Sequence, residues 1–301
     1  MSRYIGWGII VDDIVFPDGR SAMGILGGGG FYAVIGMRLW TEDVVIQSAV
    51  GHDFDPGIVE SYGLDSSGLQ VTELPTLRAW QLFEEDGRRT QIFRVPEEVV
   101  DQQLVDHPSQ TTLPATLRAA HYLLRGDPRE EQMVLDLVSA GVQISAEPVI
   151  EGTMTPDEHA SLLRCVTHFE IFSPSTTEAT ALVGERPVKE QLRAMADLGP
   201  NVVALRRGAE GSIVFDRKSN QFWRVPAAKA KVVDVTGAGN AYCGGLLVGW
   251  LELGDIQQAA ARAAVSAAIA IEQVGPPHID EAMMSAALRR AKQLLQEIHR
   301  L

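Results

Sequence analysis

The residues best suited to chemistry lie between positions 234 and 246, where the chain reads Asp-Val-Thr-Gly-Ala-Gly-Asn-Ala-Tyr-Cys-Gly-Gly-Leu. Gly237, Ala238 and Gly239 follow the apolar Val232 and Val233 and run straight into a long apolar stretch of helical periodicity. They therefore form a loop that opens onto a helix N-terminus. Unpaired amide N–H groups and the positive end of the helix dipole converge at such a junction, which makes it a site for an anion. A Gly-Ala-Gly run before a helix also serves close helix packing, and spacing alone leaves both readings open. Asp234 and Asn240 flank the loop. A carboxylate can take a proton, whereas a carboxamide can only orient a hydroxyl. Asp234 is a candidate base, or else an acceptor for backbone N–H groups of its own loop.

Other polar groups offer less. Ser175-Thr176-Thr177-Glu178 has the spacing of a capping box ahead of an apolar run. The seven histidines show no metal-binding spacing, and His52 beside Asp53 reads as a loop residue. Arg88 and Arg89 could meet an anionic substrate but suit a solvated turn equally well. Cys165 and Cys243 lack CxxC spacing, so neither a disulfide framework nor a structural zinc is indicated, which favours a reducing compartment.

These groups need a frame. Short apolar runs rich in β-branched residues alternate with segments of helical period, the pattern of parallel strands joined by crossover helices. Strands are expected at 4–11, 44–49, 120–124, 142–146, 168–173, 202–206 and 212–216. Helices are expected at 30–39, 129–140, 157–165, 188–196, 238–253, 256–274 and 280–301. The fold class is α/β. Residues 78–94 interrupt the alternation as two strands around an Asp86-Gly87 turn, either an edge hairpin or a lid that excludes water from a site. No fixed-period repeat or long linker divides the chain, so one domain over 1–301 with a small β appendage is expected.

Composition narrows the function classes. Against 39 Asp and Glu stand 26 Lys and Arg, a formal net charge of −13 over 301 residues. Such a surface repels phosphate backbones and anionic lipid, and no local basic stripe compensates, so neither nucleic acid nor membrane is an expected partner. The apolar run at 4–11 meets Asp12 and Asp13 too soon for a signal peptide. No segment approaches the roughly 18 apolar residues of a membrane span. A cytoplasmic protein is expected.

In chain order, several motifs resemble those of the ribokinase-like (PfkB) carbohydrate kinase family. Residues 234–246 are similar to its second signature, Asp-Thr-x-Gly-Ala-Gly-Asp, and Gly27 to Leu39 resemble the first, a glycine pair entering a helix that faces the sugar. Val50-Gly51-His52-Asp53 looks like the family's Val-Gly-x-Asp, Tyr62-Gly63-Leu64-Asp65 like its Gly-Val-Asp, and Arg207 to Ser212 like its nucleotide-side Gly-x-x-Gly turn. The resemblance spans nearly the whole chain. It implies a doubly wound, mostly parallel sheet flanked by helices, with a small β lid whose strands lie around 10–27 and 76–96.

The reaction it implies is phosphoryl transfer from ATP to a hydroxymethyl group of a sugar-like small molecule. ATP and Mg2+ are the implied cofactors, with a monovalent cation as a further candidate. By this resemblance Gly237, Ala238 and Gly239 form the anion hole, and Arg206, Gly208 and Gly211 bind nucleotide. Gly28, Gly29 and Asp12 or Asp13 bind substrate, the other reading of either aspartate being that it simply starts the lid, and Glu178 with Ser175 handles magnesium through water. Glu147-Pro148 falls where the family has Asp-Pro. The family often dimerises through its lid, and Trp80, Phe83 and Phe93 could supply an apolar face for a homodimer.

Three positions depart from the family pattern. Asn240 stands where the family's Asp takes the proton, and Ser175 replaces the Asn of its Asn-x-x-Glu. Phe31 stands where a sugar-binding Asn is common, and an aromatic there would stack on a ligand rather than hydrogen-bond it. A general base is typically worth about 10²–10⁴-fold, while phosphoryl transfer draws mostly on positioning and electrostatics. Two expectations follow: a kinase of weak or altered activity, or a catalytically impaired pseudokinase that binds nucleotide or metabolite as a sensor or partner subunit. A dinucleotide-dependent dehydrogenase is disfavoured, because no GxGxxG with a downstream acidic residue is present.

Overall fold

The computed structural model describes residues 3–85, 88–110, 112–150 and 152–301, so the Asp86-Gly87 turn lies outside the described residues. The chain opens with β1 (Tyr4–Trp7), β2 (Ile10–Val15), β3 (Ser21–Gly27), α1 (Gly29–Arg38) and β4 (Val44–Gly51). A short α2 (Gly57–Ser61) leads to β5 (Leu69–Thr72) and the hairpin strands β6 (Arg78–Phe83) and β7 (Arg89–Phe93). Residues 97–110 wind through α3 (Glu97–Asp101), a π-helical stretch and α4 (His107–Gln110). Regular alternation follows in β8 (Ala119–Leu124), α5 (Arg129–Ser139), β9 (Gln143–Pro148), α6 (Pro156–Val166), β10 (Ile171–Phe172), α7 (Thr176–Val183), α8 (Val188–Asp197) and β11 (Val202–Arg206). The chain closes with β12 (Ser212–Asp216), β13 (Gln221–Val225), α9 (Ala238–Leu253), α10 (Ile256–Ala270), α11 (Glu281–Leu295) and β14 (His299–Arg300).

Ten strands form one sheet in the order β14-β13-β12-β11-β10-β9-β8-β1-β4-β5, parallel from β11 to β5 and antiparallel at the other end. Successive strand residues face opposite sides, and this chain supplies apolar side chains to both. Val202 and Ala204 enter the core under α1, α9, α10 and α11, while Val203 and Leu205 enter the core under α5, α6, α7 and α8. Tyr4 and Ile5 divide in the same way. Helices therefore cover both faces of an α/β sheet. A second sheet, β3-β2-β6-β7, stands off this body. Among the described residues no helix is long and apolar enough to cross a membrane.

Three expected elements end early, and each interruption has a cause. The strand expected over 4–11 breaks at Gly8, whose φ of 96° turns the chain out of the large sheet, so that Ile10 begins a strand of the small one. The helix expected to reach Val274 stops at Ala270, and the carbonyl of Ile271 instead accepts from Val233 N at 2.8 Å. That bond ties the approach to the glycine loop onto the end of α10. The helix expected to run to Leu301 ends at Leu295, and the last residues pair with β13 as β14.

Candidate active site

A cavity of about 800 Å³ opens where the C-terminal ends of β8, β9 and β11 meet the N-termini of α1, α7 and α9, with β7 of the small sheet across from them. Crevices beyond the carboxyl ends of parallel strands are the usual ligand position in such sheets. Val235, Gly237, Ala238, Gly239 and Asn240 line it, as do Gly29 and Gly30 from α1. Helix α9 starts with no side-chain cap on its first-turn amides, and Gly237 enters it in the left-handed region at φ 75°. The ring of Tyr32 comes within 2.1 Å of where a Cβ on Gly237 would sit. An uncapped helix start facing a cavity is an anion site.

A buried charge network fills the floor. Glu147, at the end of β9, accepts from Asn240 Nδ2 at 2.6 Å and meets His121 Nε2 at 3.1 Å, both through Oε1. Its Oε2 pairs with Arg206 at 2.6 Å. The same guanidinium reaches Glu178 Oε2 at 3.2 Å. Burial alone would raise the Glu147 carboxyl, but the Arg206 charge and the bonds from His121 and Asn240 hold it down to about 2. Burial works against the Arg206 cation, yet the two carboxylates keep it firmly protonated. A Cβ on Gly239 would come within 2.0 Å of Arg206 Nη1, so the guanidinium lies directly against the glycine loop.

The remaining expected residues divide. Ser175 and Glu178 form the capping box of α7 that their spacing predicts, and both also line the cavity. Glu178 takes its bonds from Ser175 N and from Arg206 through Oε2. Asp234 is buried beneath the loop, where Oδ1 accepts from Thr236 N at 2.9 Å and Thr236 Oγ1 at 2.7 Å. Its Oδ2 meets no partner among the described residues. Gly28 caps α1 beside the cavity-lining Gly29. Gly208 and Gly211 close a turn beyond the cavity wall, leaving Arg206 as the contact from that segment.

Two expectations are corrected. Phe31 does not face the cavity: it is fully buried and packs edge-on against Tyr62, ring centroids 5.3 Å apart. Asp13 pairs in register with Trp80, is held by Arg94 and Gly24 N, and so lies on the opposite face of the small sheet from Asp12. Asp12 shares its face with Gln81, which donates to it at 2.8 Å. It is 2% exposed and forms no part of the cavity wall. Phe93 lines the cavity, so of the hairpin aromatics it is unavailable to an outer apolar face.

Burial raises the Asp12 carboxyl from 3.8 to about 6. Folding therefore takes up a proton between those values: the group favours the folded state at low pH, and that contribution is lost as pH rises through about 6. Asp12→Asn is expected to stabilise the protein by about 2 kcal/mol at pH 8 and by little at pH 4. Thermal melts at both pH values check this, and a pH-independent difference would refute it.

Sequence reasoning missed Glu130, His121 and the extent of Arg206. Glu130 is fully buried, where it accepts from Tyr122 Oη at 3.0 Å, Arg125 N at 3.0 Å, Gly126 N at 2.8 Å and Asp127 N at 3.1 Å. It fixes the loop that carries the cavity-lining Arg125. His121, Glu147 and Cys243 present ligand atoms within 4.8 Å of one another. Glu147 already receives an arginine, a histidine and an amide there, so the cluster does not suit a cation. No signal local to position 121 or 130 pointed to either role.

The family model for pfkB family carbohydrate kinases matches residues 25–282. A cytidine kinase of Thermococcus kodakarensis is 28% identical over 248 residues, covering 80% of this chain and 86% of that protein. The nucleoside kinase of Methanocaldococcus jannaschii superposes with a TM-score of 0.74 at 18% identity, covering 97% of this chain and 99% of that one. A double mutant of fructokinase from Vibrio cholerae, with fructose, ADP and potassium ion bound, gives a TM-score of 0.76 at 23% identity over 96% and 98% of the two chains.

Proposed function

Since the chain belongs to the pfkB family of carbohydrate kinases, we propose that it transfers the γ-phosphoryl group of ATP to a hydroxymethyl group of a sugar or nucleoside. The observation that carries this reading is the convergence of the uncapped α9 N-terminus and the Arg206 guanidinium on one cavity. Amides at Gly239 and Asn240 and the Arg206 cation act where charge develops on the moving phosphoryl group. The protein's net charge of −13 cannot attract a triphosphate, so these local groups must.

The small sheet acts as a lid in this reading, with Arg89, Gln91 and Phe93 facing the cavity. Trp7, Phe93 and Tyr122 contribute aromatic rings to the cavity lining, which suits an acceptor that carries a planar base beside its hydroxymethyl group. The cytidine kinase relative supports that choice. Glu178 Oε1 remains for the hydration shell of Mg2+ on the triphosphate, with Ser175 beside it. Magnesium would supply charge neutralisation on the phosphates. The orphaned, buried Asp234 Oδ2 fits a monovalent cation under the glycine loop. The outer face of the lid, with Trp80 opposite Ile92, is the surface we assign to a homodimer.

A second reading, that of a nucleotide-binding pseudokinase, is favoured by Asn240 and by Ser175 in place of the family's Asn. Turnover separates the two. With ATP, Mg2+ and a panel of sugars and nucleosides, ADP release is expected to depend on one class of acceptor. Nucleotide binding with no acceptor-dependent ADP release would favour the pseudokinase.

A further inference from the structure

Position 240 lacks a carboxylate, yet the site has one within a hydrogen bond of it. Glu147 Oε1 lies 2.6 Å from Asn240 Nδ2, and Glu147 lines the cavity. Resting on the kinase reading, we propose that Glu147 is the proton acceptor for the substrate hydroxyl, and that residues 147 and 240 form a coupled pair in which one carboxylate and one amide share the task.

Three observations carry this. Glu147 can only accept, so the amide of Asn240 must present its NH2 end to it, which turns the accepting Oδ1 end the other way. Asn240 can then align a hydroxyl while Glu147 takes its proton. An aspartate at 240 would set two carboxylates at hydrogen-bonding distance, where they cannot both ionise readily. An amide at 240 is what allows Glu147 to stay charged.

Arg206 supplies the third observation. Its guanidinium holds Glu147 Oε2 and at the same time lies against Gly239, in the anion site itself. Phosphates arriving there compete with Glu147 for it. With Arg206 engaged by phosphate, Glu147 loses its cationic partner and gains basicity, so the acceptor is armed by the nucleotide. His121, fully buried behind Glu147 and joined to Ser145 Oγ at 3.1 Å, holds the carboxylate in place from the far side.

In the step, the hydroxyl oxygen forms its bond to the γ-phosphorus as its proton passes to Glu147. The bond from the γ-phosphorus to the β,γ-bridging oxygen breaks, and its electron pair leaves with ADP. Glu147 returns the proton to solvent after the products depart.

The test is an exchange of the two groups. Wild type, Glu147→Gln, Asn240→Asp and the double variant Glu147→Gln/Asn240→Asp are compared for kcat on the acceptor panel, with ATP affinity by calorimetry and melting curves on each. Glu147→Gln is expected to lower kcat by about 10²-fold or more with ATP binding retained. Asn240→Asp alone is expected to lower kcat as well, and the double variant to recover to within about 10-fold of wild type. Glu147→Asp, which keeps the charge but shortens its reach, is expected to fold and to fall between wild type and Glu147→Gln.

Wild-type kcat within about threefold in Glu147→Gln would overturn the proposal while leaving the kinase reading intact. A gain of orders of magnitude in Asn240→Asp alone would also overturn it, since the base would then have been missing. No acceptor-dependent turnover in wild type, Asn240→Asp or the double variant, all folded, would overturn the kinase reading and this proposal together.

Discussion

Arg206→Leu is expected to cost about 3–5 kcal/mol of folding stability, because it strips the cation from two carboxylates while the leucine still fills the space. Glu147 and Glu178 both depend on this guanidinium, and Glu147 is 3% exposed. Stranded there, the carboxylates would take up protons, so the deficit of the variant should shrink as pH falls. Urea unfolding at pH 8 and pH 5 measures both effects. A loss below about 1 kcal/mol would mean that water, not Arg206, compensates the carboxylates, as at exposed pairs. ATP affinity should fall in the same variant, since the guanidinium beside Gly239 is the cationic side chain against the glycine loop.

Glu130→Ala is the second large effect, expected at about 3 kcal/mol. Four donors converge on this carboxylate: Tyr122 Oη and the amides of residues 125, 126 and 127. Leaving buried donors unpaired costs roughly 1–3 kcal/mol each, less whatever solvent recovers. Glu130→Gln keeps an accepting oxygen and should lose less. Denaturant unfolding of the pair checks the order; equal losses would contradict it and would mean that the second oxygen and its charge, which Gln lacks as Ala does, carry the whole effect. Because the loop it fixes borders the cavity, acceptor KM should rise in Glu130→Ala.

The two variants probe groups of different legibility. The glycine loop could be read directly, since Gly-Ala-Gly and the helix that follows are adjacent in sequence, and Gly237 does enter α9 there, beside the cavity. The sheet was legible because β-branched runs alternate with helical period, and both faces of its central strands are apolar. The Asn240–Glu147 contact was not, since its partners are 93 residues apart and meet only through the packing of α9 against β9. A motif marks position 240 as lacking an acid but cannot say that a neighbouring strand supplies one.

Asp12 and Asp13 show a subtler limit. Strand alternation requires them to face opposite ways. Which one turns toward the lid's inner face depends on the register with β6, which places Asp13 beside Trp80. For Phe31 a motif position alone does not fix the direction of the side chain, which from its place on α1 packs on Tyr62 in the core. Gly8 was readable only in hindsight of two sheets: within one sheet, residues 4–11 are a plausible single strand, and only the small sheet gives the break a purpose.

The central step proposed for this cavity is the movement of a phosphoryl group from ATP to a primary hydroxyl. Proton-coupled phosphorus NMR of the reaction with the best acceptor measures that directly. A new phosphomonoester signal, split into a triplet by the two protons of a CH2–O–P group and growing in step with ADP, is the predicted result. Inorganic phosphate as the only new phosphorus species beside ADP, or an unchanged ATP spectrum with every acceptor, would contradict it.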